Sequence, residues 1–218
     1  MSGVLTELPR VAIDGHEPSG LGSDHHPMRV MTRRAAGLAD PPWDDAARAE
    51  VTAYFDDLAG DWHTRTSPER DAVVVDALDR GLPSELSGSG VCLELGSGIG
   101  AYTPMLAARW SRVLAAEVAL EMLLRAPQDV GHRVLADGAR LPLQDGAADA
   151  VVLVNCFLFP AEVERVLGSD GVVVWVNSSG TQTPIHLTGD EVVTALPGRW
   201  TGITSGAGVG LWTVVRRA

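Results

Sequence analysis

The chain has 218 residues, 45% of them hydrophobic, and carries a formal net charge of −11. That length can bury one substantial core, and no apolar run approaches membrane-spanning length, so no membrane partner is expected. The acidic balance repels nucleic-acid phosphates at long range, which makes nucleic acid a poor substrate or partner.

The chain start lacks the basic and apolar blocks of a signal peptide, and a soluble cytoplasmic protein is expected. Residues 1–40 carry prolines, glycines and His16, His25 and His26 without sustained periodicity. They predict an irregular arm. With no H-E-x-x-H spacing and no paired cysteine, the histidines read as part of a loosely docked tail, and no metal site is expected. Arg29, Arg33 and Arg34 could fold over an acidic face.

Asp40-Pro41-Pro42 offers a cap and first-turn proline, and Val51, Tyr54, Phe55, Leu58 and Trp62 then recur at helical spacing. Residues 41–66 therefore predict a helical cap ahead of a core over 67–218. Phe55 and Leu58 read as packing residues, whereas Tyr54, Trp62 and His63 are pocket candidates. Ser67-Pro68-Glu69 opens the next helix, which Gly81 can close.

Residues 91–95 form an apolar run broken only by Glu94, and Gly96, Gly98 and Gly100 follow at alternate positions. A buried strand, a tight turn and a helix over 100–110 are predicted. Glycine suits such a turn because it permits unusual backbone angles and leaves room for a cofactor near the backbone. Residues 112–117 predict a second strand ending on Glu117, and residues 119–126 a helix stopped by Pro127. A third strand over 133–138 closes on Asp137 and Gly138, and a fourth ends at Asn155. Cys92 and Cys156, in or just after core strands, read as buried reduced thiols. A helix and a turn at Ser169-Asp170-Gly171 precede a fifth strand to Val176. The remainder predicts a helix near 189–196 and strands at 200–205 and 211–216. So short a connection makes that last pair antiparallel, since a parallel crossover needs a dozen or more residues.

Two cofactor patterns fit the glycine turn. Gly96, Gly98 and Ala101 satisfy G-x-G-x-x-A of dinucleotide-binding folds, whereas Glu94-x-Gly96-x-Gly98-x-Gly100 resembles motif I of class I S-adenosylmethionine-dependent methyltransferases. Glu94 separates them, because an acid there can hold a cationic methionyl end and would repel a pyrophosphate. Glu117, able to bind ribose hydroxyls, fits either. The resemblance to the methyltransferases continues through Asp137, the acid-rich turn at 141–149, and residues 164–176, and covers roughly 68–217. Ser169-Asp170 departs from the family's Lys-Pro, and the connection between the fourth and fifth strands is short.

The resemblance implies an α/β, Rossmann-like, seven-stranded and mostly parallel sheet, order 3-2-1-4-5-7-6, with one antiparallel strand and helices on both faces. It implies S-adenosylmethionine as cofactor, held by Glu94, Gly96, Ser97, Gly98, Gly100, Glu117, Val118, Met122, Asp137, Gly138 and Asn155. Met122, like Leu123, reads equally as core. If the acceptor is a hydroxyl, a base helps, with His186 first and His63 second. Cys156-Phe157-Leu158 lacks the prolines of an N-P-P-Y motif, and no acid constellation marks a magnesium site, so a metal-independent transfer to a small-molecule acceptor is expected. An NAD(P)-dependent oxidoreductase and a non-catalytic S-adenosylmethionine-binding protein are the alternatives.

Overall fold

The computed structural model describes residues 4–17, 26–86 and 90–218. Eight strands form one sheet: β1 (Val4–Glu7), β2 (Val91–Leu95), β3 (Arg112–Glu117), β4 (His132–Leu135), β5 (Ala148–Val154), β6 (Leu167–Asn177), β7 (Trp200–Ala207) and β8 (Gly210–Arg217). Their order is β1-β7-β8-β6-β5-β2-β3-β4. β8 runs antiparallel to both its neighbours, and every other pairing is parallel. Without β1 this is the expected seven-stranded order. The eighth strand corrects the expectation of a wholly irregular arm.

β1 forms because β7 would otherwise be a sheet edge with unpaired backbone groups. Four residues are too short a stretch for periodicity to reveal. Beyond β1, Leu8 N and Val11 N donate to Thr204 O and Gly206 O, each at 2.9 Å. Arg10 Nη1 donates to Gly208 O (2.6 Å) and Gly210 O (3.0 Å), clipping the arm to the β7–β8 turn.

The arm also holds α1 (Pro27–Ala35), which His26 caps by accepting from Met28 N at 3.2 Å. Met28, Met31, Thr32 and Ala35 are its buried face, an i, i+3, i+4, i+7 stripe. His16 instead lies against the β7–β8 turn, accepting from Val209 N, while His25 lies outside the described residues. α2 (Asp45–Leu58) begins later than expected, because Asp44 rather than Asp40 accepts from a helix-start amide, Ala47 N at 2.8 Å. Trp62 falls beyond it, in a separate 3₁₀ turn, Trp62–Arg65.

α3 (Pro68–Gly81) has the expected Ser67 cap. α4 (Thr103–Ala107) and α5 (Leu120–Leu123) are shorter than expected, and positive φ at Gly98 and Gly100 delays the start of α4. α6 (Pro160–Val166) precedes β6 directly: the expected Ser169-Asp170-Gly171 turn is a register irregularity inside the strand, where Ala148 pairs with Leu167 and Ala150 with Val172. α7 (Gly189–Ala195) has a capping box from Thr188 and Glu191.

Both sheet faces are covered. Val151 and Leu153 of β5 enter one core cluster, with Trp175 and Trp200, and Ala150, Val152 and Val154 the other, with α3 and Trp212. Such two-sided burial is why these strands read as continuous apolar runs. No described helix is long and apolar enough to cross a membrane. Arg10→Ala should quicken amide exchange at Leu8 and Val11 while leaving β5 unchanged, as hydrogen exchange read by mass spectrometry would show; equal protection in the variant would mean the clip carries no load.

Candidate active site

The strand order reverses at β2, whose neighbours β3 and β5 lead to opposite halves of the sheet. Ligands bind open α/β sheets in the crevice at such a point, beyond the C-terminal strand ends. A cavity of ≈ 260 Å³ lies there. Its floor includes Leu95, Ser97, Glu117, Asp137 and Asn155, from the ends of β2 to β5. Its roof comes from His26, Trp43, α2 and the segment 62–70.

Gly96 N and Ser97 N both donate to Ala116 O, at 2.8 and 3.1 Å, which fastens the glycine turn to β3. Gly96 has φ +70°, and a Cβ there would stand 2.3 Å from Cys156 Sγ. Gly98, at φ +56°, has open space around that direction, with only Trp62 Nε1 near, at 3.8 Å. Thus Gly96 serves close packing, whereas Gly98 presents bare backbone to the cavity. Gly100 packs against Pro127 and Ala126 and is absent from the lining.

Glu117 is 7% exposed, yet its carboxylate accepts three backbone N–H groups: Gly98 on Oε2 at 2.8 Å, and Val118 and Ala119 on Oε1 at 2.9 Å. Burial pushes its pKa up, and those donors pull against the shift. One Oε2 acceptor position is left, since a carboxylate offers about four, and Glu117 lines the cavity. Asp137 lines the cavity past the end of β4, with Oδ1 accepting from Ala139 N at 2.9 Å and Arg48 Nε 3.7 Å from Oδ2. On the outer side Arg140 pairs with Asp45 of α2 at 3.2 Å.

Val118, Met122 and Gly138 also line the cavity, Met122 buried and Gly138 close under Phe159. Asn155 is the only described non-glycine residue with positive φ, 50°. Its amide is spent on Ser178, donating to Oγ and accepting from N, both at 2.8 Å. It therefore ties β5 to the end of β6, with no amide hydrogen bond shown toward the cavity. Ser97 Oγ is buried without a partner. Cys156 lines the cavity as a neutral thiol, its pKa raised by burial.

Besides Gly100, three expected site residues lie elsewhere. Glu94 is buried behind the turn, accepting from Thr103 Oγ1 at 2.5 Å, and desolvation raises its pKa to about 8. His186 is buried away from the lining; burial and Arg29 lower its pKa. His63 is exposed, and also outside the lining. Among the described residues, the histidine that lines the cavity is His26, together with Arg65, Arg70 and Tyr102, none of which was singled out for the site from the sequence. Tyr54 and Trp62 line it, and so do Phe55 and Leu58, which read from the sequence as packing residues.

Residues 93–174 match the family described as methyltransferase domain. In this stretch the chain resembles the class I methyltransferases. The chain is similar in fold to DhpI bound to SAH, at 23% identity, covering 77% of this chain and 95% of that one with a TM-score of 0.57. It is also similar to a Methanococcus maripaludis protein assigned as an S-adenosyl-L-methionine-dependent methyltransferase, at 16% identity, covering 78% and 93%, TM-score 0.56. A complex of DhpI with SAM and HEP matches at 26% identity over 57% of this chain and 63% of that one, TM-score 0.48. Against several other methyltransferase structures the match spans about half of their length, 43% to 59%. No curated protein sequence matches.

Glu94 gives the protein a testable pH dependence. Its folded pKa lies above the ordinary 4.5, so the folded state holds that proton more tightly than the unfolded chain. Stability is lost from this group as pH rises from about 4.5 to about 8. Glu94→Gln keeps an acceptor for Thr103 and removes the charge. Its melting temperature relative to wild type should climb between pH 5 and pH 8.5, by at least about 2 °C. A flat difference would mean that Glu94 is not held protonated.

Proposed function

We propose that the protein transfers a methyl group from S-adenosylmethionine to a small-molecule acceptor by in-line displacement. The observation that carries this reading is Glu117, a buried acid fixed by three backbone amides with one acceptor position left, beside the bare backbone of Gly98. The family match and the sheet order support it.

The residues present fit the cofactor. Glu117 would take ribose hydroxyls, Asp137 the adenine amino group, and Val118 and Met122 the adenine faces. Gly98 and the unpartnered Ser97 hydroxyl would face the methionyl end. Glu94 would act at one remove, by fixing Thr103 and the start of α4. Bound S-adenosylmethionine supplies an electrophilic methyl carbon on a sulfonium.

What the chain contributes is alignment and exclusion of water. Floor residues come from strand ends, and α2 with Trp43 and Trp62 covers part of the cavity from above. Positioning of this kind lowers a barrier by up to about 7–11 kcal/mol in favourable cases. Neither His186 nor His63 lines the cavity, so transfer relies on alignment rather than on either as a base. A partly covered cavity in a chain of charge −11 suits a small acceptor better than nucleic acid. The antiparallel β8 speaks against an all-parallel dehydrogenase sheet.

Calorimetric titration should show S-adenosylmethionine and S-adenosylhomocysteine binding, and NADH not. Glu117→Ala should weaken both by about tenfold or more, from the roughly 1.5–3 kcal/mol of hydrogen bonding to a charged group. NADH binding alone, or an unchanged affinity in the variant, would sink the assignment.

A further inference from the structure

The charged groups lining the cavity are segregated. Its acids, Glu117 and Asp137, stand on the floor, and its cationic or titratable nitrogen side chains, His26, Arg65 and Arg70, on the roof side. Acids outnumber lysines and arginines 28 to 17 in this chain, and most described arginines find one: Arg80 pairs with Asp76, Arg125 with Glu121, Arg165 with Glu162 and Asp145. Arg65 and Arg70 do not. No described carboxylate comes within ion-pair distance of either, although Glu69 and Asp71 flank Arg70 in sequence.

Both are nevertheless held in place. Arg70 Nη1 donates to the Arg65 carbonyl, and the Arg65 guanidinium lies 5.5 Å over the Trp62 ring. A guanidinium drawn to a ring face by cation–π attraction keeps N–H groups for a planar or tetrahedral oxyanion. His26 adds a donor. Its Nδ1 accepts from Met28 N, so the neutral ring carries its proton on Nε2. Burial and the charges of Arg29 and Arg65 lower its pKa.

A bound S-adenosylmethionine accounts for one guanidinium at most, because its single carboxylate comes with its own ammonium. Arg70 suits that role, since its charge bears on Tyr102, next to the glycine turn. Arg65 is then left with an unmatched charge on a half-buried wall, which favours an anionic occupant.

Building on the methyltransferase reading, we propose that the acceptor is an organic anion whose carboxylate or phosphate group is bound by Arg65, with His26 as second donor. The floor acids repel that group, so the acceptor enters with its anionic end against the roof and its reacting end inward.

The test is calorimetric titration of the full chain, free and loaded with S-adenosylhomocysteine, with benzoate, benzamide and inorganic phosphate. Benzoate or phosphate should bind saturably and benzamide should not; which anion binds separates a carboxylate acceptor from a phosphorylated one. Arg65→Gln should weaken the anion about tenfold or more and leave S-adenosylhomocysteine affinity within about threefold. Failure of both anions, equal binding of benzamide and benzoate, or unaltered anion binding in the variant would overturn the proposal. So would a loss of S-adenosylhomocysteine affinity in Arg65→Gln, which would give this arginine to the cofactor carboxylate. The benzoate–benzamide contrast in unmodified protein decides the matter if the variant does not fold. If S-adenosylhomocysteine itself does not bind, the cofactor assignment fails separately, and the anion titration of the free chain still tests the site.

Discussion

The site depends on one carboxylate. Glu117 ends β3, and by accepting from Gly98 it holds the far side of the glycine turn, while Val118 and Ala119 close the same acid from its own strand. Charge-assisted bonds of this kind are stronger than neutral ones, and a buried acid without them would be driven to protonate. The turn, the strand end and the start of α5 are thereby fixed relative to one another. Residues that could touch a cofactor inherit their positions from that junction.

The sheet was largely legible in the sequence. β2 and β3 are largely apolar runs ending at a glycine and an acid, β5 is an apolar run ending at Asn155, and the short β7–β8 connection forced the antiparallel pairing of the last two strands. What was not legible depends on partners distant in sequence. β1 exists only because β7 offers an edge, and its four residues carry no pattern of their own. The buried stripe of α1 was present in Met28, Met31, Thr32 and Ala35, but its cap is a histidine, which composition does not flag.

The floor was legible and the roof was not, for a related reason. Glu117, Asp137 and the glycines sit at strand ends, where a pattern of strand followed by acid or glycine predicts them. Glu94 has the same pattern and turns inward to Thr103, because alternate residues of a strand face opposite sides. His26, Arg65 and Arg70 lie in a cap, a 3₁₀ turn and a first helical turn, and their shared cavity follows from how α1 and α2 fold back over the sheet.

Roof and floor meet through two unlike kinds of contact. The ion pairs Arg48 with Asp137 and Arg140 with Asp45 involve mostly exposed groups and are worth at most about 1 kcal/mol each. The apolar contact is the cluster in which Phe55, Leu58 and Trp62 pack on Ala119 and Met122. Four of those side chains, Phe55, Leu58, Trp62 and Met122, also line the cavity. The adhesive that keeps the roof down is thus the surface a guest would wet. Shutting the chamber and gripping its contents draw on the same few side chains, so each raises the yield of the other.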